Sequence, residues 1–286
     1  MKTLKYFFQF LLILFFFSIF RILGMNVASK FSSYILSFFG PFFRSKKVID
    51  SNIKKAMPDL SIIEIKNISK KMWKHFGMIL AEYMFIKNFR HNDLNKNLNV
   101  IGQEILDEIK KTNEPVIFVS GHFNNFELMA MHIEKSGIDL AAIYRPLNNK
   151  FLNPIMERIR KKYICSKQIK KGISGTKQSL KLFKCKTSIA MMIDQRVSQG
   201  IKVNFFGKEA LTTTIPAQFV KKFNCKIVPV YIERIINSKF KLTIYKPLEY
   251  SEHETIESIT TNLNELLEKM ILKNPSQWIW SHNRWK

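Results

Sequence analysis

The stretch EPVIFVSGHFNNFEL, Glu114–Leu128, combines a short apolar run with a histidine and a carboxylate. The run Val116–Val119 predicts a buried β-strand, because short runs of β-branched and aromatic residues favour the interior of a sheet. His122 follows directly after Ser120-Gly121, and Glu127 lies in the same stretch. An imidazole beside a carboxylate at the end of a buried strand can take the proton of a hydroxyl group. The stretch therefore indicates both an α/β sheet and a candidate general base.

The spacing of His122 and Glu127 limits where each can lie. On one ideal helix a five-residue step rotates by about 140°, so the two side chains would point apart. We therefore expect His122 in the loop before a helix, Asn124 or Asn125 near its N-cap, and Glu127 in its first turn. There Glu127 could hold one ring nitrogen of His122 and leave the other free to accept a proton. Alternatively, Glu127 only favours the helix N-terminus and His122 is an ordinary loop residue.

Strand and helix patterns alternate along the rest of the chain. The predicted strands are Val116–Val119, Leu140–Tyr144, Ile189–Ile193 and Ile227–Ile232, and the helices predicted between them are Phe126–Lys135, Phe151–Lys162, Thr176–Phe183 and Ala217–Phe223. This alternation predicts an α/β fold with a largely parallel, mixed central sheet flanked by helices. Lys239–Tyr245 is expected to pair antiparallel with the preceding strand, because Asn237-Ser238 favours a turn. Thr255–Lys273 has the pattern of a long amphipathic helix.

The N-terminus predicts a hydrophobic membrane anchor, residues 1–43, followed by one catalytic domain, residues 44–286. Tyr6–Phe20 is almost entirely apolar, Arg21 interrupts it, and a second apolar run covers Phe31–Phe43. The first run alone is short for a full span, which needs about 20 residues. A cleaved secretory signal ending near Ala28 is the alternative. The second apolar run and the odd number of cysteines favour an uncleaved anchor.

Composition indicates which partners the protein binds. Lys plus Arg is 46 and Asp plus Glu is 22, which gives a net charge of +24 and favours polyanions such as nucleic acid, anionic lipid or an acidic protein. The three cysteines have no CxxC spacing, so neither a disulfide framework nor a structural zinc site is expected. HExxH, GxSxG and Gly-rich phosphate loops do not occur in the sequence. We therefore expect no metal, no cofactor and no covalent acyl-enzyme.

Several sequence blocks together indicate a family. Gly121–Glu127 resembles the HxxxxD/E motif of the glycerolipid acyltransferases, and its glutamate version resembles the late acyltransferases of lipid A biosynthesis. Further blocks agree with that branch in order: Tyr144-Arg145-Pro146 with Asn148, Arg158-Ile159-Arg160, Asp194-Gln195, Val203–Gly207, Thr212–Thr214, Pro229 and Trp278–Trp285. The motif commonly has Gly where Asn124 stands and Trp where Phe126 stands, and neither departure touches the histidine or the acid.

The resemblance implies transfer of a fatty acyl group from acyl carrier protein to a hydroxyl of a Kdo-bearing lipid A precursor. It implies His122 as the base, Glu127 as the residue that holds it, and Arg160 as the functional arginine in preference to Arg158. The candidate substrate-binding residues are Asn125, Arg145, Arg158, Asp194 and Thr213. Arg145 and Arg160 suit phosphate groups, and Asp194 could orient Arg160 or the acceptor. The run containing Thr213 binds substrate oxygen or only caps the following helix.

The resemblance also implies partners and a location. The partners are acyl carrier protein, an anionic glycolipid and the membrane, and no nucleic acid is expected. The location is the bacterial inner membrane, with the active site on the cytoplasmic side. Two alternatives stay open: an acyltransferase for another glycolipid or a lysophospholipid, and a non-enzymatic, membrane-tethered protein that binds polyanions.

Overall fold

The computed structural model describes residues 2–91 and 96–286. The strands are β1 (Leu98–Ile101), β2 (Ile117–Ser120), β3 (Leu140–Tyr144), β4 (Lys167–Lys170), β5 (Ser188–Met192), β6 (Ile201–Phe205), β7 (Lys208–Thr212), β8 (Ile227–Ile236) and β9 (Lys239–Ile244). Seven of them form one sheet in the order β1-β9-β8-β2-β5-β3-β4, and β6 and β7 form a separate antiparallel hairpin. Within the described residues, every neighbouring pair in the large sheet is parallel except β8 and β9.

Helices cover the sheet and extend beyond it. They are α1 (Lys2–Phe43), α2 (Lys46–Ala56), α3 (Ile62–Glu82), α4 (Ile86–His91), α5 (Gln103–Thr112), α6 (Glu127–Lys135), α7 (Asn153–Ile159), α8 (Ile173–Lys184), α9 (Ile215–Phe223) and α10 (Ile256–Lys273). Short 3₁₀ turns cover Tyr83–Phe85 and Pro275–Gln277, and a π-helical turn covers Arg160–Ile164.

The predicted α/β fold with a largely parallel, mixed sheet is confirmed. All four residues of β2 are buried, as expected for a central parallel strand with helices over both faces. The antiparallel pairing of β9 with β8 is also confirmed. The sequence patterns missed β1 and β4, which lie at the two edges of the sheet. β4 buries one of its four residues fully, so it lacks the apolar run of a central strand.

The parallel strands place chemically active residues at one edge of the sheet. β2 and β5 pair in a register that joins Ser120 to Met192. His122 and Asp194 each come two residues after this pair, in the loops that leave neighbouring strands. Since the carboxyl ends of parallel strands meet at the same edge, the register alone brings these two residues together.

The N-terminal helix α1 packs along α3. It is kinked at Gly24, whose φ of 73° is unfavourable for residues with a side chain. The second half meets α3 so closely that a Cβ on Gly77 would lie 2.3 Å from the Ser32 carbonyl oxygen. Ala28 and Ala81 are fully buried at this contact. Small residues thus allow the two helix backbones to approach each other.

The other faces of α1 are exposed and apolar. Large apolar side chains at helical spacing remain exposed in both halves: Leu4, Phe8, Leu12, Phe15, Val27, Phe31, Tyr34, Phe38 and Phe42. Lys2–Phe42 contains an 18-residue stretch with a mean hydropathy of 2.2 and is, within the described chain, the one helix long and apolar enough to cross a membrane. An apolar surface of this extent is suited to contact with lipid. The division into an anchor, 1–43, and a catalytic domain, 44–286, stays a prediction.

Candidate active site

A cavity of about 430 Å³ opens beside the carboxyl ends of β2, β3 and β5. Its polar side includes five predicted site residues, His122, Glu127, Arg145, Arg160 and Thr213. Its apolar side is formed by side chains of the sheet and of α6: Phe118, Val119, Met129, Ala130, Ile133, Ala142, Ile143, Ala190 and Met191. The cavity therefore has a charged region and an apolar region side by side.

The His122 ring is held by Asp194. Nδ1 of His122 lies 2.8 Å from Oδ1 of Asp194, and the backbone N–H of His122 donates to Oδ2 at 2.8 Å. Since a carboxylate only accepts hydrogen bonds, Nδ1 carries the proton and Nε2 is left with its lone pair. The side chain of His122 is 19% exposed and lines the cavity. This arrangement provides a general base with a fixed tautomer.

Asp194 is buried and fully ionised at neutral pH. Its Oδ2 accepts a third hydrogen bond, from the indole N–H of Trp278 at 2.8 Å. Burial alone would raise the pKa of Asp194, but the attraction to the His122 ring and the hydrogen bonds from His122 and Trp278 outweigh it and hold the pKa at about 2. The carboxylate can therefore stabilise an imidazolium ion when His122 takes up a proton.

Glu127 has a different partner from the one that the sequence predicted. Its Oε1 accepts hydrogen bonds from the Tyr83 hydroxyl and from Nε and Nη2 of Arg160, the last two at 2.8 and 2.7 Å. The expected contact of Glu127 with His122 is therefore wrong. Glu127 begins α6 and faces the end of α3 and the π-helical turn, where a cation is available to pair with it. The strand register meanwhile supplies Asp194 to the His122 ring.

Tyr83 and Arg160, the two hydrogen-bond donors to Glu127, have fixed protonation states. Burial and the neighbouring Glu127 raise the pKa of the Tyr83 hydroxyl far above its usual value, so it stays protonated. Burial alone would lower the pKa of Arg160, but Glu127 and Tyr83 raise it instead. The guanidinium also lies over the Tyr144 ring, 5.6 Å from its centroid. Arg160 is thus a permanent, well-held positive charge in the cavity wall.

The remaining predicted site residues divide into two groups. Arg145 and Thr213 line the cavity, although the Thr213 hydroxyl also accepts a 3.4 Å hydrogen bond from the backbone of Ile215 at the start of α9. Asn125 and Arg158 do not line it. Asn125 is 1% exposed, and its amide donates to Glu82 beneath the loop. Its assignment as a substrate-binding residue is wrong, because its side chain is directed into the core.

Arg158 and Asp194 also differ from their predicted roles. Arg158 lies in the last turn of α7, outside the cavity, while Arg160 begins the following turn and lines it. The geometry therefore favours Arg160 over Arg158, as the sequence comparison did. Asp194 was expected to contact the substrate or Arg160. It holds His122 instead, because the register of β2 and β5 directs both side chains toward each other.

Three further residues belong to the site, and the sequence alone did not indicate the contacts of two of them, Tyr83 and Trp278. Tyr83 belonged to an apolar helical stripe, and nothing local marked its hydroxyl as a partner of Glu127. The indole N–H of Trp278 donates to Asp194, a contact that no local pattern indicated. His282 lines the cavity, and burial together with the nearby Arg284 lowers the pKa of its imidazole to about 4. Trp278 and His282 fall in the C-terminal sequence block, which was the available signal.

Comparison with known proteins places the chain among enzymes of lipid A synthesis. The model of the family described as bacterial lipid A biosynthesis acyltransferase matches residues 1–286. The lipid A biosynthesis lauroyltransferase of Escherichia coli K12 is 25% identical over 247 residues, which cover 85% of this chain and 79% of that protein. The lipid A biosynthesis palmitoleoyltransferase of the same organism is 23% identical, covering 86% and 80%. A lipid A biosynthesis acyltransferase of Haemophilus influenzae is 22% identical, covering 85% and 78%.

The Asp194 carboxylate should make folding depend on acidity. Its pKa is about 2 in the folded chain and about 3.9 in an unfolded one. Because the folded value is lower, its contribution to stability is complete above about pH 4 and is lost as the pH falls toward about 2. We expect the difference in unfolding free energy between wild type and Asp194→Asn to narrow by about 2 kcal/mol over that range.

The measurement is denaturant unfolding in detergent at several pH values. Asp59→Asn is the control, because Asp59 is exposed and should show no such narrowing. Curves for wild type and Asp194→Asn that stay parallel from about pH 5 to about pH 2 would contradict a stabilised Asp194 anion.

Proposed function

The chain belongs to the bacterial lipid A biosynthesis acyltransferase family, and from this premise we propose the reaction that it catalyses. It transfers a fatty acyl group from an acyl carrier protein thioester to a hydroxyl group of a Kdo-bearing lipid A precursor. The observation that carries this proposal is the His122 ring, oriented by Asp194 at the junction of a charged and an apolar region of one cavity.

The proposed chemistry uses His122 as a general base and then as a general acid. Nε2 takes the proton of the acceptor hydroxyl while its oxygen attacks the thioester carbonyl, which forms a tetrahedral intermediate with a negatively charged oxygen. Collapse of the intermediate breaks the carbon–sulfur bond, and the imidazolium returns the proton to the departing thiolate. Asp194 stabilises the imidazolium in between. The thioester is already activated, so the transfer requires no nucleotide.

Arg160 supports the proposal as a stabiliser of the intermediate. A developing oxyanion is stabilised by a donor fixed in advance, because such a donor need not reorganise during the reaction. Arg160 meets this condition through its two hydrogen bonds to Glu127. In this scheme Glu127 acts on Arg160 and not on His122. The resemblance assigned catalytic roles to all three residues, and the geometry suggests a different division of work among them.

The basic rim of the cavity supports an anionic acceptor. Arg145 and Lys171 both line it, and burial together with Arg145 lowers the pKa of the Lys171 amine. Two cations in the wall of one cavity favour a bound phosphate or sugar-acid carboxylate. The net charge of +24 also favours an acidic carrier protein.

The exposed apolar face of α1 supports a membrane location. Lipid A precursors have acyl chains, so an enzyme that acts on them works where those chains are embedded. We propose that α1 holds the domain at the bacterial inner membrane with the cavity on the cytoplasmic side, where the acyl carrier protein donor is available. The helix end that begins at Lys2 contacts Asn149, whose amide donates to the Tyr6 carbonyl, close to the Tyr144–Asn148 part of the cavity wall.

The reaction is tested with the purified protein, acyl carrier protein thioesters and the tetra-acylated Kdo precursor. We expect wild type to add one acyl chain, detected by mass spectrometry. His122→Ala should lower the rate by about 10² or more, because it removes the base. The matched control is His253→Ala, since His253 is an exposed histidine outside the cavity.

Three outcomes would overturn the proposal. Near-full acyl transfer by His122→Ala would exclude the mechanism. Transfer to a lysophospholipid or another glycolipid, but not to the Kdo precursor, would support the alternative acyltransferase. Salt-dependent binding of DNA without any acyl transfer would support a polyanion-binding protein instead.

A second prediction concerns the apolar side of the cavity, which we propose holds the acyl chain. Ala190 lies in the middle of β5 and lines this region. Ala190→Leu adds three carbons to the wall, so long donors should lose about 10-fold or more in kcat/KM while shorter donors lose much less. Donor competition assays with thioesters of several chain lengths measure the shift.

The control for the chain-length prediction is Ala56→Leu. Ala56 is half-buried at the end of α2 and lies outside the cavity, so this variant should keep the wild-type preference. An equal loss for all chain lengths in Ala190→Leu would show that the acyl chain lies elsewhere.

A further inference from the structure

A buried ion pair lies beneath the loop that carries His122. Glu82 ends α3 and is 0% exposed, and Arg234 lies in β8 and is 5% exposed. Nη1 of Arg234 donates to Oε1 of Glu82 at 2.6 Å, and Nη2 donates to Oε2 at 2.9 Å. Neither residue lines the cavity. The two charges therefore belong to the interior, although nothing in the proposed reaction uses them directly.

Both members of this pair bind the loop. Nη2 of Arg234 also donates to Oδ1 of Asn124 at 2.8 Å. The side-chain amide of Asn125 donates to Oε2 of Glu82 at 2.9 Å. Two consecutive loop residues are thus fixed by side chains from two different elements, one from the helix and one from the sheet.

A third segment completes the contacts. The side-chain amide of Asn124 donates to Oε1 of Gln277 at 3.0 Å, and its backbone N–H donates to the Gln277 carbonyl at 2.9 Å. Gln277 in turn makes two hydrogen bonds to the backbone of Arg234. Its Oε1 accepts from the Arg234 N–H at 2.7 Å, and its Nε2 donates to the Arg234 carbonyl at 2.9 Å. The C-terminal segment therefore clamps the loop to the same strand that carries the arginine.

The loop has a backbone shape that needs such support. Asn124 has a φ of 38°, in the left-handed region that residues with a side chain seldom adopt. His122 lies two residues before this turn and Glu127 three residues after it. A change of conformation at Asn124 would therefore move the base and the residue that holds Arg160 relative to each other.

We propose that Glu82 and Arg234 are positioning residues, which fix the catalytic loop through Asn124 and Asn125 without touching the substrate. The inference rests on the proposed acyl transfer. Buried ion pairs add little stability compared with apolar residues of similar size, so stability alone does not account for this one. Its links to the loop give it a task that apolar side chains could not perform, since they offer no hydrogen bonds to the two asparagines.

The test replaces both members at once with apolar residues, in the variant Glu82→Met/Arg234→Met. Removing one member leaves an unpaired buried charge and destabilises the fold, whereas removing both avoids that effect. We expect a melting temperature above those of Glu82→Met and Arg234→Met alone, a kcat reduced about 10-fold or more, and a KM for both substrates within about 2-fold. Arg234→Lys, which keeps the charge but not the two-pronged geometry, should recover part of kcat relative to Arg234→Met.

The matched control is Glu233→Met/Lys241→Met. This pair joins β8, the strand that carries Arg234, to β9, with Nζ of Lys241 3.8 Å from Oε1 of Glu233, and it is partly exposed and takes no part in the hydrogen bonds that hold the loop. Its kcat should stay within about 2-fold of wild type. Asn125→Leu is a second probe, since it removes one link to the loop and leaves the ion pair intact; its kcat should also fall with KM unchanged.

Each result leads to a decision. A kcat near wild type in the Glu82→Met/Arg234→Met variant, or a change confined to a higher KM, overturns the inference. The proposed function still stands in that case if His122→Ala is inactive. If that variant fails to fold, Asn125→Leu decides: full kcat overturns the inference and a reduced kcat with normal melting supports it. Absence of acyl transfer by wild type would instead overturn the proposed function.

Discussion

The hydrogen bond between Asp194 and His122 is the interaction on which the site depends. It exists because β2 and β5 are parallel neighbours in a register that pairs Ser120 with Met192, so the loops leaving both strands begin side by side. Trp278 fixes the carboxylate from the C-terminal segment, which connects a distant part of the chain to the base. The strand pairing thus places Nδ1 of His122 and Oδ1 of Asp194 2.8 Å apart without any bound substrate.

Glu127, which lines the cavity, and Asp194, which lies behind His122, take separate roles because each carboxylate has its own partner. Asp194 faces the His122 imidazole, while Glu127 faces Arg160, which is always a cation. This separation keeps the base able to react and the guanidinium fixed, a division typical of sites that use two acids differently. The end of α3 supports both the loop that carries His122 and the Glu127–Arg160 pair. Glu82 accepts a hydrogen bond from Asn125, and the next residue, Tyr83, donates one to Glu127. The preceding residue, Ala81, packs in the cluster that includes Ala28 of α1, so the apolar N-terminal helix lies directly against this support.

The sequence was sufficient for the fold class and for choosing His122, Glu127 and Arg160, which line the cavity, and insufficient for the pairing of these side chains. Alternating apolar strands and helices predicted a parallel sheet, and the loop after β2 predicted His122. Glu127 was chosen as its partner because it is close in sequence, yet Asp194 is 72 residues away along the chain and adjacent through strand order. Strand order is a property of tertiary packing that no local pattern contains. For the same reason Asn125 was assigned to the substrate, since a polar residue beside a catalytic one gives no sign of a buried partner such as Glu82. The left-handed backbone at Asn124, by contrast, agrees with the glycine that the family motif commonly has there.

The central claim concerns which ring nitrogen of His122 is free, and nitrogen NMR measures this directly. Protein labelled with ¹⁵N-histidine in detergent micelles would give the ring signals, and comparison with His122→Ala would assign those of His122. With Asp194 accepting from Nδ1, the neutral ring should have its proton on Nδ1 and a bare Nε2. A neutral ring that is protonated on Nε2 with a bare Nδ1 would contradict the account, because the nitrogen facing the cavity would then have no lone pair with which to take a proton.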